Sequence, residues 1–188
     1  NNLAELLNPQ PVNGSRTPPF DGYWRLTECI GCPAEPLHRA LGCPSSPIGP
    51  ETLALFYEGF LHEYDIKKRI RDKGIMIFEY PDGVMASDIP VIGHPDGNYG
   101  DEVAEYKSID GQPTAENFIT SHPRYIKQVM GYERILGVSK GRITAKSRST
   151  GWILDDIIID YDPVIVDPIW RNVHYVHSLL LKVVTSCQ

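Results

Sequence analysis

The sequence predicts an α/β fold, a central mixed β-sheet flanked by α-helices, on three observations. Apolar residues recur at helical spacing over 51–72 and 122–137. Strand-like runs cluster at 75–80, 84–94, 101–109, 140–147 and 151–160. The resulting order is helix, three strands, helix, two strands, helix, which places helices on the faces of a sheet. At 188 residues the chain has the length of one domain, read here as an arm over 1–22 and a single domain over 23–188.

The elements follow in order. Nine of the 16 prolines fall within the first 50 residues, so 1–22 reads as an arm, with a short helix at Leu3–Leu7. Residues 33–42 form a short helix ended by Gly42, and 44–50 (PSSPIGP) a turn-rich hinge. Leu53, Phe56, Phe60 and Tyr64 then mark an amphipathic helix over 51–72, closed near Gly74. A strand over 75–80 leads into the Pro81-Asp82-Gly83 turn. A second strand over 84–94 is interrupted by Pro90, and a third covers 101–109. Residues 110–121 read as a polar loop. Ser121 is placed as the N-cap of a helix over 122–137, with Pro123 in its first turn and Gly137 at its end. Two more strands and a closing helix over 164–185 complete the chain.

Composition narrows the function classes. The net charge is −6, which excludes a uniformly basic nucleic-acid wrapper. The charge is segregated, however. Residues 65–73 carry five basic and two acidic groups, and 124–148 carry seven basic groups against Glu133 alone. Such a division suits a protein that binds an anion on one face and a cation among carboxylates elsewhere. No apolar run is long enough to span a bilayer, and no signal-peptide pattern opens the chain. The expectation is an intracellular, cytoplasmic protein (a host's cytoplasm if the source is viral) with no membrane partner. Cys29, Cys32, Cys43 and Cys187 are too few for a disulfide scaffold and read as reduced structural thiols.

The chemistry concentrates in Gly93-His94-Pro95-Asp96-Gly97 and Glu105-Tyr106-Lys107. Residues two apart on a strand share a face, so Glu105 and Lys107 project together. Asp96, nine residues before Glu105, lies at the end of the preceding strand, and across a hairpin the two carboxylates converge. Paired carboxylates bind a hard divalent cation through oxygen. A lysine beside them orients water or neutralises transition-state charge.

Pro95-Asp96 with Glu105-x-Lys107 resembles the motif of the PD-(D/E)XK nuclease superfamily. Gly59-Phe60-Leu61-His62 is similar to the Gly-x-x-His element of the RecB-like exonuclease branch, and Gln128-Val129-Met130-Gly131-Tyr132 to its Gln-x-x-x-Tyr element. The elements occur in that branch's order, and the resemblance covers about 23–180. It implies a nuclease core fold and metal-dependent hydrolysis of DNA, by an exonuclease acting on ends or single strands in replication, recombination or repair. It further implies Mg²⁺ or Mn²⁺ held by His62, Asp96, Glu105 and the backbone carbonyl of Tyr106, with Glu79 as a candidate assisting acid. Lys107 would position water, Gln128 would orient the catalytic groups, and Tyr132 would pack or contact nucleic acid. The even-numbered cations Lys140, Arg142, Lys146 and Arg148 would point one way from a strand, as a stripe tracking phosphates.

Some relatives in that branch carry an iron–sulfur cluster on one cysteine before the core and three after it. Here Cys29, Cys32 and Cys43 precede the core and Cys187 follows, an inverted pattern that speaks against a cluster. A helicase or recombination protein is a partner the resemblance suggests. The retained alternatives are an RNA-cutting endonuclease of the cap-snatching type and a nucleic-acid-binding module that has lost catalysis.

Overall fold

The computed structural model describes residues 20–32, 34–43 and 46–186. The expected arm and its helix at Leu3–Leu7 lie outside those residues, except for its last three positions. Strand β1 (Trp24–Arg25) runs into a single helical turn, α1 (Leu26–Cys29), and then α2 (Ala34–Ala40). Helix α3 (Pro50–Asp72) starts on a proline, whose missing N–H costs nothing at a first turn. Strands β2 (Val84–Met85), β3 (Val91–Gly93), β4 (Gly97–Tyr99) and β5 (Glu102–Ile109) follow. Helices α4 (Ala115–Ser121) and α5 (Pro123–Leu136) then cross to β6 (Lys140–Ser147) and β7 (Ile153–Asp160), before α6 (Pro163–Ser186).

The main sheet has the order β4-β5-β6-β7. Strands β5 and β6 pair in parallel, as a helical crossover requires, and the other two pairs are antiparallel. A smaller sheet, β1-β3-β2, stands apart. On one face of the main sheet Val103, Ile109, Ile143 and Ala145 pack with Ile126 and Val129 of α5 and Val166 and Trp170 of α6. On the other face Ala104 and Tyr106 meet Ile66 of α3. Helix α5 sits close to β6 because Gly141 has no side chain: a Cβ there would collide with Val129. Gly137 closes α5 in the left-handed region, φ 69°, and Val138 N–H bonds the Glu133 carbonyl.

Several expected elements differ. Residues 75–80 form no strand; only Phe78 bridges to Asn98. The single strand expected over 84–94 is two short ones, parted at 86–90. The loop expected over 110–121 contains α4, capped by Thr114, whose hydroxyl accepts the Asn117 N–H at 3.2 Å. Ser121 therefore ends α4, and His122 stands at the N-cap of α5. The stripe Leu55, Gly59, His62 and Ile66 was expected to face inward; Ile66 is buried, Leu55 is more than half exposed, and so are Phe56, Phe60 and Tyr64, the residues that marked the helix. The cause is geometric. Helix α3 runs along β5, with Gly59 near Ser108 and Ile66 against Ala104 and Tyr106, and at about 3.6 residues per turn Phe56, Phe60 and Tyr64 fall on a neighbouring side of the helix, away from the sheet.

Candidate active site

The site lies where β5 outruns its neighbour. Strand β4 pairs with residues 102–104 only, so beyond Ala104 that edge of β5 is open. The chain before β4 brings Asp96 onto it: Asp96 Oδ2 accepts the Tyr106 N–H at 2.6 Å. The N–H and C=O of an extended residue point the same way, so the Tyr106 carbonyl faces the same open edge. Glu105 and Lys107 leave β5 on the face covered by α5. Glu105 is 2% exposed. Its Oε1 accepts from Lys107 Nζ and from Gln128 Nε2 at 2.7 Å. Its Oε2 is buried without a partner.

Gln128 and Tyr132 hold this carboxylate in place. The second amide hydrogen of Gln128 goes to the Tyr132 hydroxyl at 2.9 Å, and that hydroxyl donates to the His94 carbonyl at 3.1 Å. One chain of bonds thus ties Glu105 on β5 to the loop that carries Asp96. Gly93 makes room for it, since a Cβ there would stand 2.6 Å from the Tyr132 ring. Tyr132 is 1% exposed. Of the two roles expected for it, packing or contact with nucleic acid, this burial fits packing: both its ring and its hydroxyl are taken up inside the protein.

Burial dominates the electrostatics. It raises the pKa of Asp96, reinforced by the Glu105 charge, and it raises that of Glu105, with the Lys107 ammonium opposing in each case. Burial alone would lower Lys107, but Glu105 and Asp96 outweigh it and hold the lysine charged. The Lys107 ammonium also stands 5.0 Å from the centre of the Tyr125 ring.

Glu63 of α3, which sequence reasoning passed over, acts on both Asp96 and Glu105. It bonds Lys67 at 2.6 Å, and Lys67 bonds Glu79 at 3.0 Å. A Glu four residues before a Lys reads as an ordinary helix-surface pair, which is why Glu63 gave no signal. Glu79, the candidate assisting acid, is held by Lys67 and by Arg71 at 3.1 Å, and the Lys67 bond keeps its pKa low.

His62 is turned elsewhere. The charges acting on it are Lys146, Glu58, Arg148 and Asp65; burial first, then Lys146, lowers its pKa, and its Nδ1 is buried without a partner. Gly59 is not needed for close approach, since a Cβ there would meet only Ser108 Oγ at an ordinary 3.9 Å. Three cations of the expected basic stripe are ion-paired within the protein. Arg142 bonds Glu102 at 3.0 Å, Lys146 bonds Asp65 at 2.7 Å, and Arg148 bonds Asp110 at 2.6 and 3.0 Å, while Lys140 is exposed. Arg142 and Lys146 lie on the α3 face of β6, opposite Glu105. A cavity of about 670 Å³ lies on that face too, lined by Ile66, Ile70, Tyr99, Arg142 and Thr144 among others.

Among the described residues no three His, Cys, Asp or Glu side chains come close enough to form a metal shell. The three side chains of the set expected from sequence, His62, Asp96 and Glu105, are therefore not brought together as one group. What converges is Asp96, Glu105 and the Tyr106 carbonyl, with Glu63 nearby. This all-oxygen set, with the partnerless Oε2 of Glu105, fits a hard divalent cation. The cysteines form no such group among the described residues. Cys29 is buried, its thiol pushed up to about 12, mainly by burial, and Cys32 and Cys43 are exposed. Cys187 lies outside the described residues. No helix among the described residues is long and apolar enough to cross a membrane.

No protein-family model matches the chain, and no curated protein matches it in sequence. Solved structures do match it in shape. An alkaline exonuclease from Laribacter hongkongensis superposes with a TM-score of 0.65 at 17% identity, covering 88% of this chain and 91% of that one. The same enzyme in complex with dAMP gives 0.64 at 16% identity, with the same coverage. A phage-related exonuclease from Haemophilus somnus 129PT gives 0.58 at 10% identity, covering 86% of this chain and 83% of the other. At such identities the likeness is one of fold, a mixed sheet flanked by helices.

Proposed function

We propose that the protein is a metal-dependent nuclease of the RecB-like type that hydrolyses DNA phosphodiester bonds as an exonuclease, on ends or single strands. The observation that carries this reading is the convergence of Asp96, Glu105 and Lys107 at the open edge of β5, braced through Gln128 and Tyr132. The fold shared with two exonucleases supports it, as does the complex of one of them with dAMP.

Asp96, Glu105 and the Tyr106 carbonyl would hold Mg²⁺ or Mn²⁺, with Glu63 in reserve. Such a cation, when bound, supplies Lewis acidity toward a phosphoryl oxygen and acidifies water. Lys107 keeps its proton at neutral pH. It presents the ammonium where a water attacks phosphorus and where charge grows on the phosphoryl oxygens. Gln128 fixes the Glu105 carboxylate, so little reorganisation is required during the reaction.

The test is cleavage of end-labelled single-stranded DNA, duplex DNA and RNA with Mg²⁺ or Mn²⁺. Asp96→Ala is expected to lower the rate roughly 10³-fold. Cleavage of RNA alone would move the reading to the cap-snatching type. Metal binding without any cleavage would leave a nucleic-acid-binding module.

A further inference from the structure

Three aromatic rings stand together where α4 gives way to α5. Phe118 lies on α4, His122 at the junction and Tyr125 in the first turn of α5. Spacings of four and three residues bring side chains to one side of helical backbone. His122, at φ −124° and ψ 53°, joins the two helices without breaking that alignment. The His122 ring stacks on Phe118 at 4.5 Å and 18°, and Tyr125 lies 5.5 Å from His122 at 9°. Phe118 is fully buried, whereas His122 and Tyr125 are half-buried. A cluster serving only the core would enclose all three rings. Here the innermost ring is sealed and fixes two outer rings that reach solvent.

The position of the stack matters as much as its form. The Lys107 ammonium, bonded to Glu105, is the cation 5.0 Å from the Tyr125 ring centre. The stack is therefore one side chain away from the reacting centre, with the Lys107 ammonium beside it.

We propose that His122 and Tyr125, backed by Phe118, are a stacking platform for an unpaired nucleobase next to the phosphate being cleaved. The inference rests on the nuclease reading and names its substrate form. Every base has a π-face, so a ring platform binds without sequence preference. In a duplex those faces are covered by neighbouring base pairs, so only a single strand or a frayed end can offer one. Because the rings are already held parallel by Phe118, stacking a base on them costs little ordering entropy.

The test compares two single strands of equal length and charge, one ordinary DNA and one made of abasic sites, binding to the full chain in Ca²⁺ by fluorescence anisotropy. Wild type is expected to prefer the base-bearing strand by about tenfold or more. Tyr125→Leu and His122→Ala should each cut that preference severalfold, with affinity for the abasic strand nearly unchanged. Tyr125→Phe, which keeps the ring, should retain the preference. His122→Ala does not touch Lys107, so it separates base stacking from a role of Tyr125 in steadying the lysine. Far-UV circular dichroism checks that each variant is folded.

Equal affinity of wild type for both strands, or an unchanged preference in the two ring-deleting variants, overturns the platform. Cleavage of ordinary DNA in Mg²⁺ is run alongside. Cleavage without base preference overturns the platform and leaves the nuclease reading standing. Neither cleavage nor binding overturns both.

Discussion

Glu105 and Glu133 are both buried where α5 meets the sheet, at 2% and 0% exposure, yet their surroundings are opposite. Glu105 has a lysine and an amide on one oxygen and a buried, partnerless second oxygen. Glu133 has no partner on either oxygen and faces the Gly141 backbone. Burial, with the Asp160 charge, pushes Glu133 up to about 8. One carboxylate is kept next to a fixed cation and the other is kept as a neutral acid. A buried carboxylate becomes a place for chemistry when a charge and a bond donor are built beside it. Without them it is a protonated filler.

Between these two glutamates, the largest expected effect comes from making Glu105 resemble Glu133. Lys107→Met removes the cation and leaves Gln128 as the sole partner. The rate of Mg²⁺-dependent cleavage should fall roughly 10²- to 10³-fold, measured in single turnover. A rate within threefold of wild type would show that the cation is not what separates the two glutamates.

Glu133 is tested through stability. An acid whose pKa is raised from 4.5 to about 8 by folding stabilises the native state fully below the unfolded value. That contribution is lost as pH rises from about 4.5 through 8, because the native state holds a proton the unfolded state releases. Urea denaturation at pH 5 and pH 9 should differ on the order of a few kcal/mol from this group. Glu133→Gln, which mimics the neutral acid, should flatten that difference and leave cleavage unchanged. An unaltered pH profile would place Glu133 with the charged carboxylates.

The smallest effect belongs to the amide. Gln128→Leu removes one bond to Glu105 and one to Tyr132 while Lys107 remains. Cleavage should drop roughly 10- to 100-fold, as when a partner that orients a ligand is lost. Thermal stability should change far less than in Lys107→Met. If Gln128→Leu equalled Lys107→Met in rate, the amide and not the charge would be the deciding partner.

The legible part of the fold was its periodic part. The strands at 101–109, 140–147 and 151–160 and the helices at 51–72, 122–137 and 164–185 were each read within about two residues of β5, β6, β7, α3, α5 and α6. What was missed is short or held by distant partners. β1 pairs with β3 across more than sixty residues, and α4 rests on a Thr114 cap inside an otherwise polar stretch. Residues 75–80 have strand composition, but only Phe78 finds a bridging partner.

At the site, the joint projection of Glu105 and Lys107 and the shared face of Gln128 and Tyr132 follow from periods of 2.0 and 3.6 residues, and sequence alone determines them. Which face of the sheet each helix covers is a matter of long-range packing. That packing kept His62 out of a group with Asp96 and Glu105 and set Glu63 within reach of the Asp96 charge. It sealed Tyr132 inside and laid Lys146 against Asp65 of α3. Local periodicity relates a residue to its chain neighbours, and only the packing of distant elements settles what stands opposite it.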